Sequence, residues 1–544
     1  MPADSLLHTV LRHYQDVHDA AATDQILGST VHLLTHLSNP LNVRVLTSQL
    51  LTAPAIWHRH DGTKSALRVL SIYHTAASRV RDHAIEAEVS GRALRCEEWA
   101  RAVVQGADDR SRRWQHLLVL AGLLTGIEGN GRHVISRTLR ETLGHAVVVA
   151  ANLALQDHRQ DGPAAAASIV AALTLVFPLL GEHHQAQVDC DALLPLAVWT
   201  MTAEEGFHDA RFLRAVDGDT TTTAAAAPQQ QQPGRHVLVW PPESPSCHLL
   251  RRMEKQPLVA NMGPLSRLAA FAAQHAADPS VVLRAQDALL VFTGRVLDNW
   301  RGTRLSGVDA ASEAAHLSPE TAQTTWPLLW QLLRKLLFGT MVVLHAIVAR
   351  SLLDRRMLGH GVASQSLRVL RNLFFISSRH GNAAFDVYTF TYMASLDVLA
   401  ADAPAAEAFL REMRPADAPA APTPLDRTLH LYYLNVAEHL PLSLSTDACE
   451  ALLVTPAMAY LSPPPGPVCP SARDLFESAH SVVLSALSCP RHGALAVQMA
   501  PFYTVRLFDS FPQQISARQF RVAFRTMLEI VSPPFPVAAM DPCL

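Results

Sequence analysis

Imidazoles and carboxylates cluster at three places in this chain, and each combination is capable of holding a divalent metal. His208-Asp209 has the form of a metal-dependent phosphohydrolase dyad, which would make the protein a helical hydrolase. Such a site needs further His and Asp ligands from other helices. In a chain with 27 His, a lone dipeptide is expected by chance. "WHRHD", Trp57 to Asp61, offers two imidazoles and a carboxylate. On a helix His58 and His60 would diverge, because only i+3 and i+4 neighbours share a face, so the stretch reads as a polar loop. His183-His184 with Asp189 and Cys190 supplies ligand types without any of the usual zinc spacings, and reads as a surface segment linking helices. The seven cysteines, Cys96, Cys190, Cys247, Cys449, Cys469, Cys489 and Cys543, are odd in number and include no C-x-x-C pair. That spacing argues against a disulfide framework and fits a reduced compartment.

Phosphate-binding chemistry has two fragments to consider. "GTKS", Gly62 to Ser65, resembles the end of a phosphate loop but lacks the leading Gly and has Thr where Gly should precede Lys. In "GIEGNGRHV" the third Gly of the dinucleotide pattern is replaced by Val134, and no strand precedes it. No G-x-S-x-G, H-E-x-x-H or kinase signature occurs. The expectation is a protein without catalytic residues, metal ligands, cofactor or small-molecule substrate. One surface remains as a candidate. In the last amphipathic stretch Phe520, Phe524, Met527, Leu528 and Val531 form an apolar stripe, with Arg518, Arg521 and Arg525 at i, i+3 and i+7 on another face. The arginines form a candidate partner-facing basic edge.

The elements that must carry this surface are helices. Trp114, Leu117, Leu118, Ala121 and Leu124 follow the i, i+3, i+4, i+7, i+10 pattern. "ETLGHAVVVAANLAL", "TTWPLLWQLLRKLLFGTMVVLHAIVARSLL" and "SQSLRVLRNLFFISSR" read the same way, and strand-like alternation is nearly absent. Helix starts are expected at Ser516-Ala-Arg-Gln519, a capping box with Ile515 and Phe520 at the staple positions, at Ser318-Pro319, at Asp447 and at Ser471. Two segments approach the composition of a membrane span. Gly162 to Gly181 has 20 uncharged residues but contains six Ala and Pro178. Leu336 to Ala349 has only 14 residues between Lys335 and Arg350, short against the roughly 20 required. Both read as buried core helices, with peripheral membrane contact left open.

With 544 residues, 49% apolar and 17% charged, the chain can bury a large core. A net charge of -3 provides no field for nucleic acid. Asp217 to Arg235 is low in complexity and reads as a disordered surface insertion. Arg414 to Pro424 reads as a stiff Pro/Ala linker, and Ser462 to Pro470 as a breaker between helices. The expected organisation is an N-terminal helical region 1–216, a linker 217–250, a central helical region 251–413, the linker 414–424 and a C-terminal helical region 425–544. No fixed-period repeat is visible, so the fold class is all-α, an irregular HEAT/armadillo-like array or α-solenoid.

Four blocks, "MPADSLLHTVLRHYQ", "LSNPLNVRVLTSQLLTAPAIW", "RRWQHLLVLAGLLTGIEGNGR" and "PFYTVRLFDSFPQQISARQFRVAFRTMLEIVSPP", resemble the fungal peroxin-8 family of peroxisome biogenesis factors. The resemblance implies a non-enzymatic adaptor on the lumenal side of the peroxisomal membrane. It would link the docking and RING-finger modules of the matrix-protein import machinery and contact the cargo receptor. A cytosolic or nuclear helical scaffold unrelated to peroxisomes is the alternative. The resemblance also implies a C-terminal Ser-Lys-Leu-like tripeptide, whereas this sequence ends Pro542-Cys543-Leu544. The sequence-based expectation is a chain or gene model that stops early.

Overall fold

Two glycines one turn apart decide how closely two helices of the first unit approach. On helix Arg113–Glu128, a Cβ at Gly122 would sit 2.4 Å from the Leu70 carbonyl oxygen, and one at Gly126 would sit 2.5 Å from that of His74. Helix Lys64–Glu86 packs into this gap. The contact is tied by Arg81, whose Nη1 donates to the Gly126 carbonyl at 2.7 Å. The structure, a computed structural model, describes residues 3–15, 20–58, 63–86, 94–107, 111–129, 134–224, 236–357, 359, 361–380, 386–415, 422–461 and 470–532. It forms two compact units, Met1–Gly206 with Gln256–Val282, and Phe207–Lys255 with Leu283–Leu544.

In the first unit, successive helices cover each other's apolar faces. Every residue from Trp114 to Leu124 is buried, as a helix apolar on several sides requires. Helix Pro163–Val176 is buried along Ala165–Thr174 and ends at Pro178 in a 3₁₀ turn, Phe177–Leu179, with the Phe177 ring edge-on to Phe271 at 4.9 Å. Gly162 to Gly181 is therefore a core helix, as its composition indicates. Helix Ala20–His36 receives Trp99, whose indole Nε1 donates to the Leu34 carbonyl at 2.7 Å.

The second unit centres on helix Trp326–Leu353. A π-helical turn, Thr321–Thr325, extends it to Pro319–Leu353, 35 residues with mean hydropathy 1.9 in the most apolar window, of which 56% is buried. The expected 14-residue limit is thus corrected: Lys335 and Arg350 lie inside the helix, not at its ends. Each has a carboxylate partner, Glu254 for Lys335 at 3.4 Å and Asp354 for Arg350 at 3.4 Å, so neither charge interrupts the apolar face. By length and composition this helix could cross a membrane. Its packing is that of a core helix, with Trp300 stacked on Phe375 at 5.2 Å and Trp330 edge-on to Trp300 at 5.6 Å. Arg379 closes this cluster, its guanidinium 4.1 Å from the Trp330 ring centre and paired with Glu313.

Among the described residues the fold is all-α apart from one hairpin that the sequence does not announce. Thr221–Ala224 pairs antiparallel with His236–Val239, Thr221 opposite Val239 and Ala224 opposite His236. This corrects the expectation of a featureless insertion for Asp217–Ala224, whose first three residues end helix Phe212–Asp219. Residues 225–235 lie outside the described set, as do 416–421 of the Pro/Ala linker and 462–469 of the breaker. The hairpin is held by Trp240, completely buried, whose backbone amide donates to Thr321 Oγ1 at 2.8 Å and whose carbonyl accepts from Thr325 Oγ1 at 3.0 Å.

Helix starts follow local chemistry, with two revisions. The Ser516 box is formed: the Gln519 amide donates to Ser516 Oγ at 3.3 Å and the Ser516 amide to Gln519 Oε1 at 2.8 Å. Ser318 Oγ accepts from the Thr321 amide at 3.2 Å. The helix expected to begin at Asp447 is capped instead by Ser445, which accepts from the Ala448 amide. Ser471 is no cap either: Pro470 opens helix Pro470–Leu487, and Ser471 Oγ donates to Asp309 at 2.9 Å.

Candidate functional site

The last two helices of the second unit, Gly493–Ser510 and Ala517–Val531, pack against each other with an unequal division of apolar surface. Ala523, Met527 and Ile530 face inward, as do Tyr503, Leu507 and Ser510 from the preceding helix. The expected stripe is thus rotated. Met527 is buried, but Leu528 is 47% exposed, and Phe520 and Phe524 are only half-buried. The small side chain of Ala523 takes the innermost position, displacing the two phenylalanines toward the seam between the helices.

At that seam the aromatic rings associate. Phe508 lies edge-on to Phe520 at 5.3 Å and to Phe524 at 5.7 Å, Phe511 is 4.8 Å from Phe520, and Phe520 stacks on Phe524 at 5.8 Å. These geometries are the favoured ones for aromatic pairs. Phe508 remains 53% exposed, Val505 59% and Val522 60%, so the packing leaves much apolar surface in water.

Arg518, Arg521 and Arg525 are all exposed, on the side of the helix away from Ala523 and Ile530. Arg525 Nε donates to Glu529 at 2.8 Å, an i,i+4 pair in solvent. The structure brings Arg521 beside the aromatic seam, because a 100° step per residue places Leu528 between Phe524 and Arg521 around the helix, and Arg525 and Arg518 follow further round. Sequence reasoning names the arginines, which are exposed, and misses the seam. Phe508 and Phe511 belong to a preceding helix and turn, and their convergence on Phe520 is visible only after folding.

The other flank of the same helix borders a groove of about 470 Å³ lined by Arg518, Gln519, Glu438, His480 and Leu484 among others. The His480 Nδ1 lies 2.8 Å from the Tyr503 hydroxyl, and burial pushes this imidazole down to about 4, leaving it neutral at pH 7. Burial also raises the Glu438 carboxyl, with His439 opposing that shift. A cavity of about 670 Å³ in the first unit is lined by Trp99, Arg101, Glu97 and Cys96, whose thiol burial raises to about 11. A thiol so buried stays protonated and is a poor nucleophile.

The metal-type groups of the sequence are used structurally. His208, Asp209 and Ala210 form a turn with φ of 50°, 51° and 62°, and Asp209 pairs with Arg295. His184 is buried against Gly144, 3.7 Å from Glu141, and is therefore not on the surface as expected, because a glycine on helix Arg137–Asp161 leaves room for its ring. Cys190 and Asp189 begin helix Cys190–Thr202, where Asp189 accepts from the Ala192 amide at 3.1 Å. Trp57 ends the short helix Pro54–Trp57, and residues 59–62 and 130–133 of the remaining motifs lie outside the described set. Thr63 Oγ1 donates to Glu205 at 3.2 Å, and Lys64 begins helix Lys64–Glu86. Among the described residues no group of three or more His, Cys, Asp or Glu is placed to share a metal ion.

Stacked helices whose exposed seams carry apolar and basic side chains define a helical-repeat scaffold. Residues 1–185 match a family domain described as "Peroxin 8 protein-like, N-terminal domain", and residues 406–488 match the "PEX8 central TPR-like domain". Both matches support a member of the peroxin-8 family. The first match lies within the first compact unit and the second within the other. Among curated relatives, "Peroxisomal membrane protein PEX17" of Yarrowia lipolytica is 24% identical over 305 residues, covering 53% of this chain and 43% of that protein. "Peroxisomal biogenesis factor 8" of Komagataella phaffii is 25% identical over 235 residues, covering 39% of this chain and 32% of that protein. The matched region is less than half the length of either relative.

Proposed function

We propose that this chain acts in peroxisome biogenesis as a non-enzymatic adaptor of matrix-protein import. The observation that carries the reading is the presence of two different peroxin-8 domains, N-terminal and TPR-like, in order on one chain. In the finer form, the adaptor lies peripherally at the lumenal face of the peroxisomal membrane, links the docking and RING-finger peroxins and contacts the cargo receptor. Stacked helices suit that task because each added pair lengthens a continuous surface, so several partners can be held without a pocket. Arg518, Arg521 and Arg525 supply one such surface, exposed and beside half-buried aromatics. Burial supports the non-enzymatic reading: it holds Cys96 at about 11, and Cys190 and Cys449 at about 12, as inert thiols.

The test is complementation. In a fungal cell lacking its own peroxin-8, the full chain restores import of a fluorescent matrix protein, and a tagged copy is protected from added protease until the peroxisomal membrane is opened. A cytosolic or nuclear signal with no recovery of import, or crosslinked partners unrelated to peroxisomes, would instead favour the unrelated-scaffold reading.

A further inference from the structure

We infer that the seam between helices Gly493–Ser510 and Ala517–Val531 is a docking groove for an acidic amphipathic helix of a partner protein. The inference rests on the adaptor reading and specifies the chemistry of one of its partners. Three features of the seam carry it.

The first is the unpartnered apolar surface. Val505, Phe508 and Leu528 are 59%, 53% and 47% exposed along a seam whose remaining walls are the half-buried Phe520 and Phe524. Val505 and Phe508 are i, i+3 neighbours on the first helix, and Phe520, Phe524 and Leu528 recur at i, i+4 and i+8 on the other. From Phe520 to Leu528 the seam is about 12 Å long, enough for roughly two turns of a docked helix.

The second is shape. The rings of Phe508, Phe511, Phe520 and Phe524 hold each other in edge-to-face, tilted and stacked contacts between 4.8 and 5.8 Å. They form a preset wall, and a preordered wall loses little rotamer freedom when it is covered. Helix-in-groove recognition uses this arrangement, with anchors at i, i+3, i+4 and i+7 of the incoming helix.

The third is charge, which selects the partner. Arg521 and Arg525 line one edge beside Leu528, and Arg518 follows on the same exposed side of the helix. Against these three guanidinium groups the helix offers one carboxylate, Glu529, paired with Arg525. Arg518 and Arg521 have no carboxylate within ion-pair distance among the described residues. A second copy would bring the same excess of arginine. An acidic helix brings the opposite charge, which raises the encounter rate and fixes register.

The experiment uses the full chain and a fluorescein-labelled 18-residue designed peptide with Leu and Phe at i, i+3, i+4 and i+7 and Glu on both flanks. A control peptide has every Glu replaced by Lys. The expected result in fluorescence anisotropy is at least tenfold tighter binding of the Glu peptide, with the preference shrinking as salt rises. Val505→Glu and Leu528→Gln, both at exposed positions and each checked for an unchanged circular-dichroism melt, weaken Glu-peptide binding at least tenfold. Arg518→Glu with Arg521→Glu reverses the peptide preference. Equal binding of the two peptides, or Glu-peptide binding unaffected by Val505→Glu, overturns the inference. So does a dimer seen by light scattering that Val505→Glu dissolves, or binding of phosphatidylserine vesicles in place of the peptide. Complementation separates this from the adaptor reading. If the wild-type chain restores import and peptide binding ignores every substitution, the docking groove falls alone. If import is not restored while the substitutions act as stated, the adaptor reading falls alone.

Discussion

A single buried imidazole gives the second unit a defined response to acid. His480 is 7% exposed, touches Tyr503 through Nδ1 and Phe476 through its ring at 4.5 Å, and has its pKa pushed down to about 4 by burial. In the unfolded chain the same group titrates near 6.5. Between these values the unfolded chain binds a proton that the folded chain refuses, so stability is full above about pH 6.5 and declines as pH falls toward 4. The window is about 2.5 units, on the order of 3 kcal/mol. His480→Gln removes this contribution, so the urea midpoints of variant and wild type should converge in relative terms between pH 7 and pH 4.5, with the variant curve flatter. Parallel curves would show that His480 does not carry the acid sensitivity. Burial also lowers His345 and His430, but these remain in both proteins and cancel in the comparison.

Among elements, the crossing of helices Lys64–Glu86 and Arg113–Glu128 is the most sharply constrained. A methyl group at Gly126 would lie 2.6 Å from the Ala77 Cβ and 2.5 Å from the His74 carbonyl, neither of which is a flexible side-chain end. Gly126→Ala therefore sets a gain in helix propensity of about 1 kcal/mol against overpacking of about 1 to 3 kcal/mol. The net expectation is a lower melting temperature, and a variant that melts at or above the wild type would contradict the close packing. The last helix offers a milder test. Ser516→Ala removes the acceptor for the Gln519 amide and should cost about 1 kcal/mol, read as a shift in the urea midpoint.

These elements also show what the sequence could reveal. The Ser516 box was legible because its chemistry is local, and the helix through Trp114–Leu124 because its periodicity is. The hairpin was not, because Thr221–Ala224 finds its partner at His236–Val239 across a Gln- and Pro-rich interval, and low complexity hides pairing of that range. Ser445 was passed over for Asp447 because both are capping types two residues apart, and only backbone geometry distinguishes them. At the candidate site the exposure of Arg518, Arg521 and Arg525 followed from the helix period. The rotation that buries Ala523 and leaves Leu528 in water depends on which neighbour the helix meets, and a helical wheel holds no record of that neighbour.

For the molecule as a whole, the thiols report how completely the helices close over one another. Cys96, Cys190, Cys247, Cys449 and Cys489 are all buried and unbridged, and burial raises the first, second and fourth to between about 11 and 12. With Cys469 and Cys543 replaced by Ser, the native chain should give almost no fast reaction with a thiol reagent and five equivalents after unfolding in urea. Rapid labelling of even one equivalent would show an open core. The two-stranded hairpin has a practical consequence at this scale. Ala224 and His236 are directly opposed, so the two ends of the intervening segment are held about 5 Å apart across a ladder. Anything inserted between them meets a closure penalty that grows only with the logarithm of its length, about 0.6 kcal/mol per doubling. A fluorescent protein or epitope placed there should leave the melting temperature within a few degrees of the parent. It would let the chain be followed in cells with both ends untouched, so that any address written at either end stays readable.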